Sequence, residues 1–318
     1  MTRLDAGDEE RGNAALSPGP RLDALELREV PLGGIRAMPV RRALPQRDLP
    51  MVGAWCFLDR FGPQVTTMRV DPHPHIGLQT VTWPFAGEVR HRDTLGSDIV
   101  VRRGTLNLMT AGAGIAHSEY SVGEADIPLD ALQLWVALPE ARRHGNPAFE
   151  QVTALPELAL DHGARATVVL GELDGVASPA TVYTPIVGAE LTLEAGAQAT
   201  VPLRAEWEHA LLLVAGTAEV ASTPLDAEHL LYLGRGREHV TLSSTAGATV
   251  FLLGGEPFGE DIIMWWNFVG RSHEEIVTAR DAWEAAAERF GHIVGHGPER
   301  IPAPPLPAVR LTRRRRRL

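Results

Sequence analysis

Short β-rich runs broken by glycine turns fill the first half of this 318-residue chain. From about Leu25 to Val136 these runs alternate with turn signals, which are Gly62-Pro63, Gly87-Glu88, Leu95-Gly96, Arg103-Gly104 and Gly112-Ala113-Gly114. Glycine adopts the backbone conformations that tight turns need, and β-rich runs between such turns are typical of strands. About six or more strands at this spacing predict an all-β sandwich or barrel.

A second series of the same kind starts near Ala166, after a connection with prolines and charges at about 139–160. Its β-rich runs are 181–187, 190–193, 210–214, 217–220 and 247–253. Within it, residues 210–220 form the pattern of a strand, a glycine turn and a return strand, as residues 80–89 do in the first half. The repeated pattern indicates a duplicated module. The chain length also fits two domains of roughly 150 residues each.

One helix and two irregular ends complete the predicted organisation. Residues 1–20 mix acidic residues, Gly, Pro and Ser without a period, and we expect them to be disordered. Ser272 is a candidate N-cap with Glu275 three residues later, and apolar residues at helical spacing then predict a helix over 272–289. The Pro- and Arg-rich end is expected to be a mobile tail. The predicted units are an N-terminal domain at 21–150, a C-terminal domain at 151–295 and a tail at 296–318.

Composition excludes several classes of function. All 30 basic side chains are arginine, so no lysine can form a Schiff base with pyridoxal phosphate or serve a P-loop. The one cysteine, Cys56, excludes a disulfide within the chain and a thiolate zinc cluster, and we expect it to be a small buried hydrophobe. The sequence contains no signal-peptide pattern and no apolar run of membrane-spanning length. We therefore predict a cytoplasmic protein without membrane binding.

The balance of charge argues against nucleic acid as a partner. The formal net charge is -10 although five arginines stand at 313–317. Without that run the formal net charge would be -15, and such a body repels phosphate backbones. We expect the run to be a solvated tail that partly neutralises its own acidic body, and we expect no direct binding of nucleic acid.

Two short motifs hold most of the candidate metal ligands, Asp71-Pro72-His73-Pro74-His75 and His117-Ser118-Glu119. Each carries two ligand-type side chains two residues apart, which puts both on one face of an extended strand. If the two strands are neighbours, both pairs can bind one divalent ion and leave two octahedral positions open; Fe, Mn, Co, Ni, Cu and Zn all suit such ligands. The predicted ligands are His73, His75, His117 and Glu119. The alternative is that they are polar loop residues at a barrel mouth.

The sequence around these motifs resembles the pirin family of the cupin superfamily. The matching stretches are Phe57-Leu58-Asp59-Arg60-Phe61-Gly62-Pro63, His73-Pro74-His75 with Gly77, Gly87-Glu88-Val89 with His91-Arg92-Asp93, Met109-Thr110-Ala111-Gly112 with His117-Ser118-Glu119, and Met264-Trp265-Trp266-Asn267-Phe268-Val269. The resemblance spans about residues 21–295. It implies an all-β bicupin, in which two β-sandwich barrels face each other and a short C-terminal helix follows. It also implies a metal, usually iron, on the four ligands of the N-terminal barrel; Gln79 stands where many other cupins have a ligand glutamate.

The same resemblance implies a metal-dependent dioxygenase of the quercetin 2,3-dioxygenase type. Such an enzyme opens a flavonol-like aromatic ring with O2 at one divalent ion, with Fe(II) the favoured metal. Glu119 would be both a ligand and the catalytic base for the substrate hydroxyl. We expect Trp83, Phe85 and Met109 to line the pocket for the ring. Two alternatives stay open: a redox- or metal-sensing regulator that binds another protein without turnover, and an isomerase of sugars or other small ligands that needs no O2.

Other candidate residues fit structural roles better. His209, His229 and His239 have no second histidine or glutamate at strand spacing, so we expect no metal in the C-terminal domain. The large apolar side chains that we expect in packing or between the domains are Trp55, Trp265 and Trp266.

Overall fold

Strands make up most of the regular structure, as the alternation of β-rich runs and glycine turns predicts. The structure is a computed structural model that describes residues 19–32, 38–123 and 125–313. Nearly all of the predicted disordered segment, and positions 314–317 of the arginine run, lie outside the described residues. No helix in the part of the chain that is described is long and apolar enough to cross a membrane.

The N-terminal domain is a sandwich of a large and a small antiparallel sheet. After β1 (Pro20–Glu26), its strands are β2 (Arg28–Pro31), β3 (Pro39–Leu44), β4 (Trp55–Thr66), β5 (Arg69–His75), β6 (Leu78–Ala86), β7 (Glu88–Asp93), β8 (Asp98–Arg102), β9 (Leu106–Thr110), β10 (Ile115–Ser121), β11 (Ile127–Ala137) and β12 (Ala148–Val152). Among the described residues the large sheet has the order β12-β9-β6-β11-β4-β3-β2, and the small sheet has the order β5-β10-β7-β8. The candidate ligands therefore lie on the small sheet and face the large one.

The C-terminal domain repeats this arrangement. Its strands are β13 (Glu157–Leu160), β14 (Ala164–Leu173), β15 (Val176–Ala177), β16 (Ile186–Leu193), β17 (Ala197–Pro202), β18 (Glu208–Gly216), β19 (Ala218–Val220), β20 (Thr223–Leu225), β21 (His229–Gly234), β22 (His239–Ser244) and β23 (Ala248–Gly255). Its large sheet is ordered β1-β21-β18-β23-β16-β14-β13 with β15 beside β14, and its small sheet is ordered β17-β22-β19-β20. Two facing sandwiches of this kind confirm the predicted all-β bicupin.

Strand β1 belongs to the C-terminal sheet, although its position in the sequence suggested the N-terminal domain. It pairs antiparallel with β21, with Leu25 opposite Leu230. The pairing covers the backbone groups of an otherwise open sheet edge, which stabilises that edge and protects it from other strands. The two domains are thus joined by strand β1, which precedes the N-terminal strands and pairs in the C-terminal sheet, as well as by their packed faces.

The one α-helix among the described residues begins where the capping signal predicts and ends earlier. Strands β24 (Ile263–Trp265) and β25 (Phe268–Gly270) precede α1 (His273–Glu284), and a 3-10 turn spans Glu288–Phe290. The Ser272 side chain accepts a hydrogen bond from the Glu275 backbone N–H at 3.2 Å, as an N-cap does. Ala286 adopts a positive φ of 50°, which interrupts the helix. The chain then bends so that Phe290 is buried against Trp283.

The two domains share a continuous hydrophobic core, and Trp55 lies in its centre. Buried side chains from both large sheets pack together in this core, for example Leu134 of β11 with Phe251 of β23. The Trp55 indole N–H lies 3.1 Å from the carbonyl oxygens of Val187 and Gly254, both in the C-terminal domain. Its expected role in packing between the domains agrees with this position.

The proline-rich end of the chain is fixed on the N-terminal domain where a mobile tail was expected. We call residues 299–307 the C-terminal strap. The Ile301 backbone N–H donates to the Pro72 carbonyl at 2.8 Å, and the Ile301 carbonyl accepts from the Trp283 indole at 2.9 Å. The Ala303 N–H donates to the Glu284 carboxylate at 2.8 Å. Because proline has a fixed φ and no N–H, a proline-rich segment loses little entropy and leaves few donors unsatisfied when it packs.

We expect Trp55→Phe to destabilise the protein by about 1–3 kcal/mol, because two buried carbonyls of the opposite domain lose their donor. Urea unfolding followed by circular dichroism measures this change. Trp207→Phe is the matched control, since the Trp207 indole N–H has no acceptor among the residues described. Equal free energies of unfolding for the two variants would contradict the role of the interdomain hydrogen bonds.

Candidate metal centre

The candidate ligands lie on two strands that pair side by side in the small N-terminal sheet. Strands β5 and β10 are antiparallel, with His117 opposite His73 and Ile115 opposite His75. The register shifts between His117 and Glu119. All four candidate side chains are buried. The pairing therefore brings together two motifs that are about forty residues apart in the sequence.

Proline and glycine shape the segment that carries the first two histidines. Pro72 and Pro74 lie in β5, which is the edge strand of its sheet, as the missing N–H groups of proline require. The chain then turns at Gly77, whose φ is +69°. A Cβ at Gly77 would lie 2.1 Å from the Val269 carbonyl oxygen, so only glycine fits there. This turn ends β5 directly after His75.

Three histidines form a compact group of nitrogen ligands. The ligand atoms of His73, His75 and His117 all lie within 4.8 Å of one another. The Nε2 atoms of His75 and His117 are 3.1 Å apart. Two nitrogens at right angles around an ion, each at about 2.1 Å, are about 3.0 Å apart, so this spacing fits a shared metal. His75 Nδ1 is buried, and a backbone hydrogen bond with Asn267 acts on this imidazole.

Hydrogen bonds orient two of these imidazoles with Nε2 toward the shared space. His73 Nδ1 lies 2.9 Å from the Asp71 carbonyl oxygen, which can only accept, so Nδ1 carries the proton. His117 Nδ1 lies 3.2 Å from His91 Nδ1, and His91 Nε2 lies 3.0 Å from the Asp93 carboxylate. His91 therefore donates to Asp93 and accepts from His117. Both arrangements leave the Nε2 lone pair of the candidate ligand free, as metal-binding histidines require.

Burial keeps the three imidazoles neutral. It lowers the pKa of His73 to about 4, and neighbouring His91 adds to this effect. Burial and the adjacent histidines hold the pKa values of His75 and His117 well below their usual range. Neutral imidazole is the form that binds metals. The group is therefore ready to bind a cation at neutral pH.

His91 is a member of the site that the sequence analysis did not select. A second group of close ligand atoms consists of His91, His117 and Glu119, again within 4.8 Å. His117 thus belongs to both groups, whereas Glu119 groups with His91 and not with His73 and His75. The signal was present in the sequence: His91 and Asp93 have the same two-residue spacing as the other pairs.

Glu119 is held from the large sheet opposite. The Thr82 hydroxyl of β6 lies 3.2 Å from Glu119 Oε1 and 3.0 Å from Gln133 Oε1 of β11. Burial raises the pKa of the Glu119 carboxyl, while His91 and the Thr82 hydroxyl act in the opposite direction. A buried carboxylate with one hydroxyl donor can accept a proton more readily than a solvated one.

A cavity of about 520 Å³ opens onto the candidate ligands. One wall is the stacked pair Phe57 and Trp135, whose ring centroids are 4.0 Å apart at an interplanar angle of 13°. Trp265 and Trp266 line it as well, so these two side chains combine packing with a place on the cavity wall. The strap closes another side through Ile301 and three prolines, Pro304, Pro305 and Pro307.

The predicted pocket residues lie elsewhere, and strand alternation explains this for Trp83 and Phe85. Thr82 faces the interior of the N-terminal domain, so Trp83 points to the opposite face of β6, as successive strand residues do. There its indole donates to Glu190 of the C-terminal domain at 2.8 Å. Phe85 is two residues further along β6, so it points to the same face as Trp83 and packs on the interdomain core. Met109 is buried behind the aromatic wall, in one cluster with Phe57 and Trp135, and does not reach the cavity. The prediction for these three side chains was wrong.

The histidines of the C-terminal domain lie apart from one another. His209 is buried at a separate cavity of about 180 Å³, beside Trp207. His229 lies 2.9 Å from the Asp226 carboxylate, and His239 is exposed. No group of three ligand atoms includes them within the described residues. That this domain binds no metal stays a prediction.

Burial lowers the pKa of His209 to about 4. Between this value and the unfolded value of about 6.5, the unfolded chain binds the proton and the folded chain does not, so His209 reduces stability as the pH falls. Between pH 7.5 and pH 5.0 we expect the free energy of unfolding to fall in both proteins, and to fall by ~2 kcal/mol more in the parent protein than in His209→Gln, because the variant lacks this titrating group. Urea titrations at both pH values measure this, and an identical fall in the two proteins would contradict it.

The two overlapping ligand groups make different predictions for metal binding. If the ion lies among the three histidines of the first group, His75→Ala should abolish binding of one equivalent of Ni(II). His91→Ala should reduce affinity by about 10–100-fold, as loss of a partner behind a ligand does. Isothermal titration of both folded variants tests this. Loss of binding only in His91→Ala would assign the ion to the second group.

Two family models match this chain. The model described as Pirin matches residues 37–136, and the model described as Pirin C-terminal cupin domain matches residues 188–291. These ranges correspond to the two sandwich domains. The first contains all five side chains of the candidate centre.

Several known proteins are similar over most of the chain. A Pseudomonas aeruginosa protein, named provisionally as a quercetin 2,3-dioxygenase, is 42% identical over 290 residues, which cover 90% of this chain and 91% of the relative. The crystal structure of quercetin 2,3-dioxygenase from Acinetobacter baumannii matches with a TM-score of 0.87 at 37% identity, covering 92% of this chain and 98% of that one.

The fold also matches the bacterial pirin YhhW from Escherichia coli in complex with nickel(II), with a TM-score of 0.60 at 19% identity. That match covers 74% of this chain and all of the other. It agrees with the paired sandwiches at the level of fold. The two family models and the 42% identical relative show that this chain belongs to the pirin family.

Proposed function

We propose that this protein is a metal-dependent dioxygenase of the quercetin 2,3-dioxygenase type, which opens a flavonol-like aromatic ring with O2. The observation that carries the proposal is the cavity, because its stacked aromatic wall leads to three neutral imidazoles and one buried carboxylate. A flat apolar wall suits a planar ring, and the donors suit a divalent ion. The names of the similar proteins from Pseudomonas and Acinetobacter support the same reaction class.

His73, His75 and His117 would hold the ion, with Glu119 as the fourth ligand. We propose Fe(II) as the resident metal, while Mn, Co, Ni, Cu and Zn suit the same donors. When bound, the ion would supply Lewis acidity toward a substrate hydroxyl and an open position for redox chemistry with O2. His91 and Asp93 would keep His117 in the orientation that binds.

Glu119 is the proposed catalytic base. Its carboxylate would take the proton of the substrate hydroxyl as a general base. Thr82 would keep one carboxylate oxygen oriented by its hydrogen bond. The aromatic wall would hold the ring edge-on to the histidines, and the strap would limit access of water from the far side.

We expect Glu119→Gln to lower the turnover of flavonols by about 100-fold or more, because general-base catalysis contributes about 10²–10⁴-fold. The assay is aerobic O2 uptake with a panel of flavonols and iron-loaded protein. Glu172→Gln, at a carboxylate of the C-terminal domain that pairs with Arg204, is the control and should behave as the parent protein.

Two results would count against this proposal. Equal turnover in Glu119→Gln and the parent would remove Glu119 from catalysis. Full iron occupancy with no O2 uptake on any flavonol would favour the alternative, a metal- or redox-sensing regulator that acts through contacts with another protein. The proposed compartment is the cytoplasm, which fits a chain whose one cysteine forms no disulfide.

A further inference from the structure

A row of polar side chains crosses the large N-terminal sheet under the cavity. Cross-strand pairing places Arg28 of β2 opposite Arg42 of β3, and Arg42 opposite Asp59 of β4. The row continues from Asp59 to Gln133 of β11 and from Gln133 to Thr82 of β6. Thr82 contacts Glu119, so one end of the row is at the candidate metal centre. The other end, at Arg28, is the edge of the sheet.

The charges in this row do not balance. Arg42 forms two hydrogen bonds of 2.7 Å with Asp59, whose carboxylate is fully buried, so this pair is neutral overall. Arg28 donates to the Pro45 carbonyl at 2.6 Å and has no carboxylate partner among the residues described. One positive charge therefore stands uncompensated on the cavity wall. Arg28 is exposed at the sheet edge, and partial burial of its guanidinium and the positive charge of Arg42 lower its pKa.

All three charged side chains line the same cavity as the histidines. Thr82 and Arg28 are four strands apart in the sheet, which corresponds to roughly 19 Å between their backbones. Pro304, Pro305 and Pro307 of the strap line the same cavity and carry no charge. A ligand that extends from the histidines to the sheet edge would meet apolar surface as well as the Arg28 guanidinium.

We propose that the ligand of this cavity is an elongated aromatic acid, whose carboxylate pairs with Arg28 while its hydroxyl end faces the histidines. The proposal rests on the proposed function for the hydroxyl end only. Guanidinium binds carboxylate through two parallel hydrogen bonds, and such pairs are stronger than neutral ones. Arg42 is the weaker candidate, because Asp59 already neutralises its charge and accepts from two of its five N–H donors.

The test compares two probes that differ in one group: 3-hydroxyflavone and its derivative with a carboxylate on the pendant ring. Their dissociation constants are measured by fluorescence titration on Ni(II)-loaded full-length protein, without turnover. We expect the carboxylate probe to bind about tenfold tighter or better. Arg28→Gln should make the two probes equal, and Arg28→Glu should make the carboxylate probe the weaker one.

Arg165→Gln is the matched control, because Arg165 is an exposed arginine of β14 whose ion pair with Glu157 lies in the C-terminal domain. It should keep the preference for the carboxylate probe.

Equal affinities in the parent protein, or a preference that survives in Arg28→Gln, would overturn the carboxylate site and leave the dioxygenase proposal intact. Failure of both probes to bind would overturn both proposals. Binding of the carboxylate probe with loss in Arg28→Gln, but no O2 uptake with iron, would support the site and reject the dioxygenase.

Discussion

The register of one antiparallel strand pair determines what the N-terminal domain can do. Because β5 and β10 pair with His117 opposite His73, side chains from two distant motifs share one buried space. A shift of one residue in this pairing would turn a set of side chains to the other face of the sheet. The tight turn at Gly77 fixes where β5 ends. The candidate metal centre is therefore a consequence of strand pairing, and the rest of the domain stabilises that pairing.

The other elements surround this pair with complementary chemistry. The large sheet supplies the hydroxyl that holds Glu119 and the polar row that leads to Arg28. β7 supplies His91, which orients His117. The C-terminal domain contributes no side chain to the described ligand groups; it covers the back of the large sheet through a shared core and accepts the hydrogen bonds of Trp55. The strap, from the end of the chain, closes the cavity.

Sequence reasoning succeeded where local chemistry decides and failed where long-range packing decides. Strand spacing and glycine turns predicted the two β domains. The two-residue spacing of the histidines led to His73, His75 and His117, which do lie together, but not to His91, and that these side chains bind a metal stays a prediction. The wall of the cavity was missed because it depends on which face of each strand points inward. The inward position of Gln133 on β11 selects Trp135, and the inward position of Thr82 on β6 excludes Trp83. The strap and β1 were misplaced because their partners, Pro72 and β21, are distant in sequence and carry no local signal.

Whether one ion binds between the three histidines can be seen in a crystal structure of the protein loaded with Fe(II) under anaerobic conditions, with anomalous scattering at the iron edge. We expect one strong anomalous peak among His73, His75 and His117, at about 2.1 Å from each Nε2, with Glu119 turned toward it. A peak at another place in the protein, or no peak in crystals of iron-loaded protein, would contradict it.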